Sequence, residues 1–382
     1  MNLDGYALPI KKLKGTEPVE SLDLSGKKLG VASTIVIASL ISVNGALTSL
    51  NLAGNQLCGL DKYGDRTYTA EGITAIADAL RVNGSLTSVE LRGNKLGDEG
   101  WGAIFAAICG NKVSKIMSMD ASDESIGPAG VQLIAEALRT SVTGALTSVS
   151  LTGNKLGDEG WGAIFAAICG NKDSKIMSMD ASSEDIGPAG VKLIAEALRT
   201  SVTGSLTVTN LLGNQLDAES AKMLAEVAKQ KGISLCGIQR AQTTADFSNQ
   251  NLKPPEAILL ASDLLQAGVT GSLTSINMSG NHLTNFGRDM TGIKELTAAL
   301  GVNGALTSLD IRSNDIMGDG AAKLSAAVLG NLKIEMFNDI PIKEMHANSI
   351  TELDLKGKGI GVEGGLVVAG LIPVMGSTTN LS

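Results

Sequence analysis

One phrase recurs along the chain and leaves little freedom in how it can fold. It reads LTSLNLAGNQL from Leu47, LTSVELRGNKL from Leu86, LTSVSLTGNKL from Leu146, LTSINMSGNHL from Leu273 and LTSLDIRSNDI from Leu306, with a weaker copy, LTVTNLLGNQL, from Leu206. Self-similarity of this kind marks stacked repeats, because one such unit cannot bury its apolar face without a neighbour. Degenerate units fill the gaps. In KIMSMDASDESIG from Lys115, Met117 and Met119 take the Leu places and Ser122 the Asn place. The pattern gives 13 strand segments, with another beginning at Asn380.

Most strands are followed by helical spacing. Ile73, Ile76, Ala77 and Leu80 fall at i, i+3, i+4 and i+7, as do Val131, Ile134, Ala135, Leu138 and Val191, Ile194, Ala195, Leu198. With the second Leu of each strand as marker, positions 24, 52, 91, 119, 151, 179 and 211 lie 28, 39, 28, 32, 28 and 32 residues apart.

The phrase fits L-x-x-L-x-L-x-x-N-x-L, and over nearly its whole length the chain resembles a leucine-rich repeat protein. Spacings near 28 that contain a full helix are similar to the ribonuclease-inhibitor type. That type also occurs in the repeat domains of NOD-like receptors and in the Ran GTPase-activating protein. The resemblance implies an α/β leucine-rich-repeat solenoid, a horseshoe with parallel strands on the concave face and helices on the convex face. Strands about 4.8 Å apart against helices about 10 Å wide would bend such a stack. It also implies that Asn55, Asn94, Asn154, Asn214, Asn281 and Asn314 form a buried ladder, a role suited to an uncharged side chain with two donors and an acceptor.

Residues 1–382 are expected to be one repeat array. Within it, residues 93–122 and 153–182 differ only at Val113 against Asp173, which makes 93–212 a tandem duplication of a 60-residue, two-repeat unit. A second symmetry relates the segment from Ala7 to that from Asp339, with a looser cousin from Leu235, each a strand, a helix-free connection and a strand. Ends at the same phase of the array, without distinctive caps, are what a fragment of a longer array would have.

Composition excludes several functions. A net charge of −8 argues against phosphate backbones, so no nucleic acid partner is expected. Met1–Gly15 has no apolar run of the signal-peptide kind, and the most apolar stretch, Gly364–Met375, is shorter than the roughly 20 residues that span a bilayer. No membrane association is expected. Cys58, Cys109, Cys169 and Cys236 lack zinc or disulfide-scaffold spacing, which favours free thiols and a cytoplasmic location. His282 and His346 have no partner at ligand spacing, so no metal, cofactor, small-molecule substrate or catalytic set is evident and the chain is not expected to be an enzyme.

Three motifs invite bland readings. Gly359-Ile-Gly361-Val-Glu-Gly364 matches a dinucleotide fingerprint but occupies the strand-to-helix turn of a repeat. Trp101 and Trp161 align with the first apolar position of the helix stripes and are expected in the core. Asn83-Gly-Ser and Asn277-Met-Ser match the glycosylation sequon, which means little without secretion. Two stretches break the period, Cys58–Thr69 with Tyr63 and Tyr68, and His282–Thr291 with Phe286 and Arg288. Insertions in solenoids often map to the binding face.

Strand side chains that point away from the core are the most informative. The central column reads Asp23, Asn51, Glu90, Ser118, Ser150, Ser178, Asn210, Asp246, Asn277, Asp310 and Asp354, and one place later come Asp120 and Asp180 beside Arg92, Arg312 and Lys356. With Glu352, acids outnumber bases eight to three. The choice is between a solvated face and a docking surface for a basic protein or peptide. The sharper expectation is a non-catalytic protein–protein interaction scaffold that binds through Glu90, Asp120, Asp180, Asp246, Asp310 and Asp354, joined by Tyr63 and Tyr68. A regulatory or sensing repeat segment of a larger protein such as an NOD-like receptor, or a GTPase-activating protein for Ran, are the alternatives.

Overall fold

Each full copy of the phrase folds as a three-residue strand, a tight turn and a following helix. The computed structural model describes residues 1–60, 67–142, 145–375 and 380–381. The chain divides into two units, Met1–Thr207 and Val208–Ser382.

In the first unit Ser21–Asp23, Ser49–Asn51 and Ser88–Glu90 pair in parallel, as do Ser118–Asp120, Ser148–Ser150 and Ser178–Asp180. The helices between them include Glu71–Leu80, Gly97–Gly110, Pro128–Arg139, Gly157–Gly170 and Pro188–Arg199. In the second unit Thr244–Asp246, Ser275–Asn277, Ser308–Asp310 and Met336–Phe337 form a parallel sheet, and Glu352–Leu353 pairs with Asn380–Leu381. Every residue of the three helix stripes is buried, so each helix closes the core over its own strand. Trp101 and Trp161 are fully buried, each in tilted contact with a buried phenylalanine, Phe105 or Phe165. All four cysteines are buried, and none forms a disulfide among the described residues.

The register corrects the reading of the degenerate units. Met119 and Met179 face the core opposite Val149, whereas Met117 is 57% exposed. Ala121 and Ala181 fill the second Leu place and are fully buried. The markers from Leu91 to Leu211 are therefore Leu91, Ala121, Leu151, Ala181 and Leu211, a uniform 30 residues apart rather than alternating 28 and 32. The Asn place falls to Glu124 and Glu184, not to Ser122. The connections read as helix-free also differ: Ile10–Lys14 and Ile342–His346 are each one helical turn, entered from Pro9 and Pro341. A proline just ahead of the first turn suits that geometry, since its fixed φ presets the chain. At Leu235 the chain makes only isolated bridges to Val208 and Asn210 through Ser234 and Cys236.

Turns after the strands need a left-handed residue. Gly93 and Gly153 supply it at φ of 71° and 72°, and a Cβ on Gly153 would collide with the Asp123 carboxylate. Helix starts are supported from the preceding element. Gly127 and Gly187 at the N-caps have no side chain to offer, and their N–H groups are held by Asp98 Oδ1 at 2.7 Å and Asp158 Oδ1 at 2.8 Å. Asp4 Oδ2 does the same for Gly30 and Ser33 at 2.9 and 3.2 Å. A carboxylate there also complements the positive end of the helix dipole.

Candidate functional site

Pairing within the strands defines the exposed column directly. Asp23 stands opposite Asn51 and Asn51 opposite Glu90, while Asp120, Ser150 and Asp180 face one another in the next set. Asp120 and Asp180 thus belong to the central column, and Ser118 and Ser178 align with Ser148, two places earlier than the sequence reading set them. In the second unit Asp246, Asn277 and Asp310 are in register. Asp354 follows the strand Glu352–Leu353 and is exposed.

The column has a local reason to be rich in Asp and Asn. Each side-chain oxygen accepts the backbone N–H two residues on: Asp23 from Ser25 at 2.9 Å, Asn51 from Ala53 at 3.0 Å, Asp120 from Ser122 at 3.0 Å, Asp180 from Ser182 at 3.1 Å. Asp246, Asp310 and Asp354 repeat the bond to Ser248, Arg312 and Lys356 at 2.9, 3.1 and 3.0 Å, and Glu90 reaches Arg92 at 3.0 Å. These bonds close the turn that ends each strand, as Asx side chains do. They also hold the carboxyls of Asp23 and Asp246 below the usual range, through the N–H groups of Ser25 and Ser248.

Two arginines cross the column. Arg92 lies 3.2 Å from Glu90 Oε1 and 3.1 Å from Asp120 Oδ2, so these two acids share one cation. Arg312 is held by Asp310 at 2.6 Å, by Asp339 at 3.1 Å and by the Lys358 carbonyl at 3.0 Å. The guanidinium pKa of Arg92 rises, first through Asp120, and that of Arg312 through its bond to Asp310. Asp180, Asp246 and Asp354 are left as the more exposed acids of the set. Tyr68 is 37% exposed, and its hydroxyl donates to the Leu96 carbonyl at 2.8 Å, tying the Cys58–Thr69 stretch to the next repeat. Burial pushes its phenol up to about 12. Tyr63 lies outside the described residues.

Beneath this surface runs the asparagine ladder. All six expected asparagines are buried. Asn154 donates to the Ala121 and Leu151 carbonyls, both at 2.8 Å, and accepts from Glu124 N and Ile126 N at 3.1 and 2.9 Å. Asn281 repeats the set with Phe247, Met278, Gln250 and Leu252. Glu124 continues it as a carboxylate, accepting from Gly93 N at 2.7 Å and from the Trp101 indole at 3.3 Å. Burial raises the pKa of Glu124, and that of Glu184, which accepts from Gly153 N.

A second ladder was not foreseen. Asn44, Asn83, Asn111, Asn171, Asn303 and Asn331 sit where helices return to strands. Asn83 donates to the Ile41 carbonyl at 2.8 Å and accepts from Leu86 N at 2.8 Å, while Asn111 donates to the Leu80 and Asn83 carbonyls at 2.8 Å. Its signal is the V-N-G preceding Leu47, Leu86 and Leu306. Asn83 of the sequon is therefore committed to the interior.

Buried acids also escaped the sequence, Asp263 and Glu363 among them. Asp263 accepts from Ser234 Oγ at 2.7 Å, Leu235 N at 2.9 Å and Cys236 N at 3.1 Å, and burial pushes it up to about 6. Glu363 is buried against Asn338 Nδ2 at 3.1 Å and pushed up to about 7. It lies inside the Gly359–Gly364 motif, where a Cβ on Gly361 would touch its carboxylate. An acid at that place opposes a pyrophosphate, so the motif serves the turn. Among the described residues no group of three or more His, Cys, Asp or Glu could hold a metal ion, and no helix is long and apolar enough to cross a membrane.

The family model described as Leucine Rich repeat matches residues 82–105, 146–165 and 305–325. Human NACHT, LRR and PYD domains-containing protein 13 is 30% identical over 148 residues, 32% of this chain and 14% of that relative's length. The chain therefore matches a small part of that protein. Among solved structures, the leucine-rich repeat-containing protein LegL7 from Legionella pneumophila is 17% identical, with 98% of this chain and 96% of that chain covered at a TM-score of 0.41. The tropomodulin C-terminal domain of Caenorhabditis elegans is 14% identical, covering 61% and 92% at a TM-score of 0.23.

Proposed function

Since the chain is a leucine-rich repeat protein, an α/β solenoid of strands and helices, we propose that it is a non-catalytic, cytoplasmic scaffold that binds a basic protein or peptide through its exposed strand surface. One observation carries the reading: the column carboxylates are fixed by bonds to their own turns. Asp120, Asp180, Asp246 and Asp354 need little ordering when a partner arrives, and fixed charge raises association rates. Glu90 and Asp120, already sharing Arg92, and Asp310, paired with Arg312, set the register of contact rather than its strength. Tyr68, which is 37% exposed, and Tyr63 belong to the same proposal.

That residues 1–382 work as one array rests on the strand phrase recurring on both sides of residue 207. A second reading, a regulatory or sensing segment of a larger protein, draws on the human NACHT, LRR and PYD relative. A GTPase-activating role toward Ran rests on the earlier resemblance alone.

Affinity capture followed by mass spectrometry identifies the partner, and association kinetics then test the surface. Asp120→Lys with Asp180→Lys is expected to slow association, and added salt to weaken the wild-type complex. Unchanged rates together with indifference to salt would remove the strand surface from consideration. Stimulation of GTP hydrolysis by Ran would favour the third reading.

A further inference from the structure

At one edge of the unit Met1–Thr207 the helices end and the strands begin, and there the chain exposes apolar side chains that neither ladder nor core uses. Val82, Val113, Met117, Val142, Met177 and Val202 project from successive helix-to-strand connections, Val113 at 60% and Val202 at 63% exposure. Single exposed apolar residues are ordinary, but a row at about one per repeat along one edge is the kind of arrangement that marks interaction sites.

Lysines stand among them. Lys112 and Lys115 flank Val113, and Lys172 and Lys175 occupy the same places in the duplicated copy, all four exposed. Other bases of this edge are engaged: Arg81 with Asp78, Arg139 with Glu136 and Arg199 with Glu196. Among the described residues the four lysines form no salt bridge, and the one acid in their two connections is Asp173. Acids gather instead where the helices begin, at Asp98, Glu99, Asp158 and Glu159. The edge is therefore locally cationic on a chain of net charge −8.

We propose that this edge is a second docking surface, distinct from the strand column, and that its occupant is an acidic segment of a protein partner bearing apolar side chains. Charge complementarity selects the acidic groups, and the valine and methionine row takes the apolar ones; methionine suits such a role because it adapts its shape. A segment lying on the edge stays within a Debye length, about 8 Å, of the lysines and feels them first. An extended anionic membrane would face the whole negatively charged chain, and the row lacks the Trp and Tyr that anchor proteins at bilayer interfaces. The duplication provides an internal comparison, because the single difference between its 30-residue copies, Val113 against Asp173, falls inside this patch.

The test uses the full chain and a short fluorescein-labelled peptide of Glu and Leu, with a Lys and Leu peptide and phosphatidylserine–phosphatidylcholine vesicles in parallel. The wild type is expected to bind the Glu/Leu peptide, and changing Lys112, Lys115, Lys172 and Lys175 to Glu to weaken it by about tenfold or more. Asp173→Val is expected to tighten binding by about threefold and Val113→Asp to loosen it by about as much, a gain that unfolding cannot mimic. Asp120→Lys with Asp180→Lys should leave this peptide bound at least as well. Equal binding by the lysine reversals, no gain with Asp173→Val, absence of binding to the Glu/Leu peptide, or preference for vesicles would each overturn the proposal.

Discussion

Glu124 accepts the indole N–H of Trp101 at 3.3 Å through one oxygen while its other oxygen takes the Gly93 N–H at 2.7 Å. An acid thus does, in a half-buried place, the accepting half of what asparagine does elsewhere in the ladder. Glu124→Ala is expected to cost about 1–3 kcal/mol by leaving both donors unpaired. Glu124→Gln keeps one accepting oxygen but turns an NH2 group toward the second donor, and should cost less than the alanine without matching wild type. Urea unfolding of the two variants separates them, and equal losses would deny the ladder role.

Asn154 gives bonds to the Ala121 and Leu151 carbonyls and takes the N–H groups of Glu124 and Ile126. Asn154→Ala should lower stability by about 1–3 kcal/mol, and Asn94→Ala, which breaks bonds to Leu52, Leu91 and Asn55, by a comparable amount. An unchanged denaturation midpoint for both would contradict this assignment.

Asp263 and Glu363, raised by burial to about 6 and about 7, make stability depend on pH. Between the ordinary carboxylate range and these values the folded chain holds more protons than the unfolded one. Their contribution is therefore fully present below the unfolded pKa and is lost as pH rises through the folded pKa. Stability should increase when pH is lowered from about 8 to about 5. The double variant Asp263→Asn, Glu363→Gln should flatten that trend; an equally steep pH dependence in the variant would assign it to other groups.

Burial pushes the thiols of Cys58 and Cys109 up to about 11, and that of Cys236 upward as well. Thiol titration should give four free groups in denaturant and almost none reacting quickly in the native protein. A denatured count of two or fewer without reductant would mean disulfides that this fold does not contain.

The helix stripes were legible from apolar residues at helical spacing, and the first asparagine ladder from the resemblance that the strand phrase carries. The register around Ser118–Asp120 was not. Met117 and Met119 are two residues apart, and a two-residue slip keeps the strand alternation intact. Only the packing of Ala121 and Ile126 decides it, and alanine is a weak marker for a leucine place. The acidic column was visible, but its turn-closing bonds were not, since Asp in such a phrase reads equally as surface charge. The second ladder was not legible, because nothing in one repeat reveals that the Asn of V-N-G bonds carbonyls of the preceding one.

Asp98 and Asp158 each hold the start of the helix that follows their own, while Glu124 and Glu184 each hold a turn of the repeat before theirs. Such coupling is reciprocal: whichever partner frays, the other loses the same bond. Disorder should therefore spread to both neighbours of a frayed repeat, and a chain emerging from the ribosome completes each repeat only when the next one has arrived.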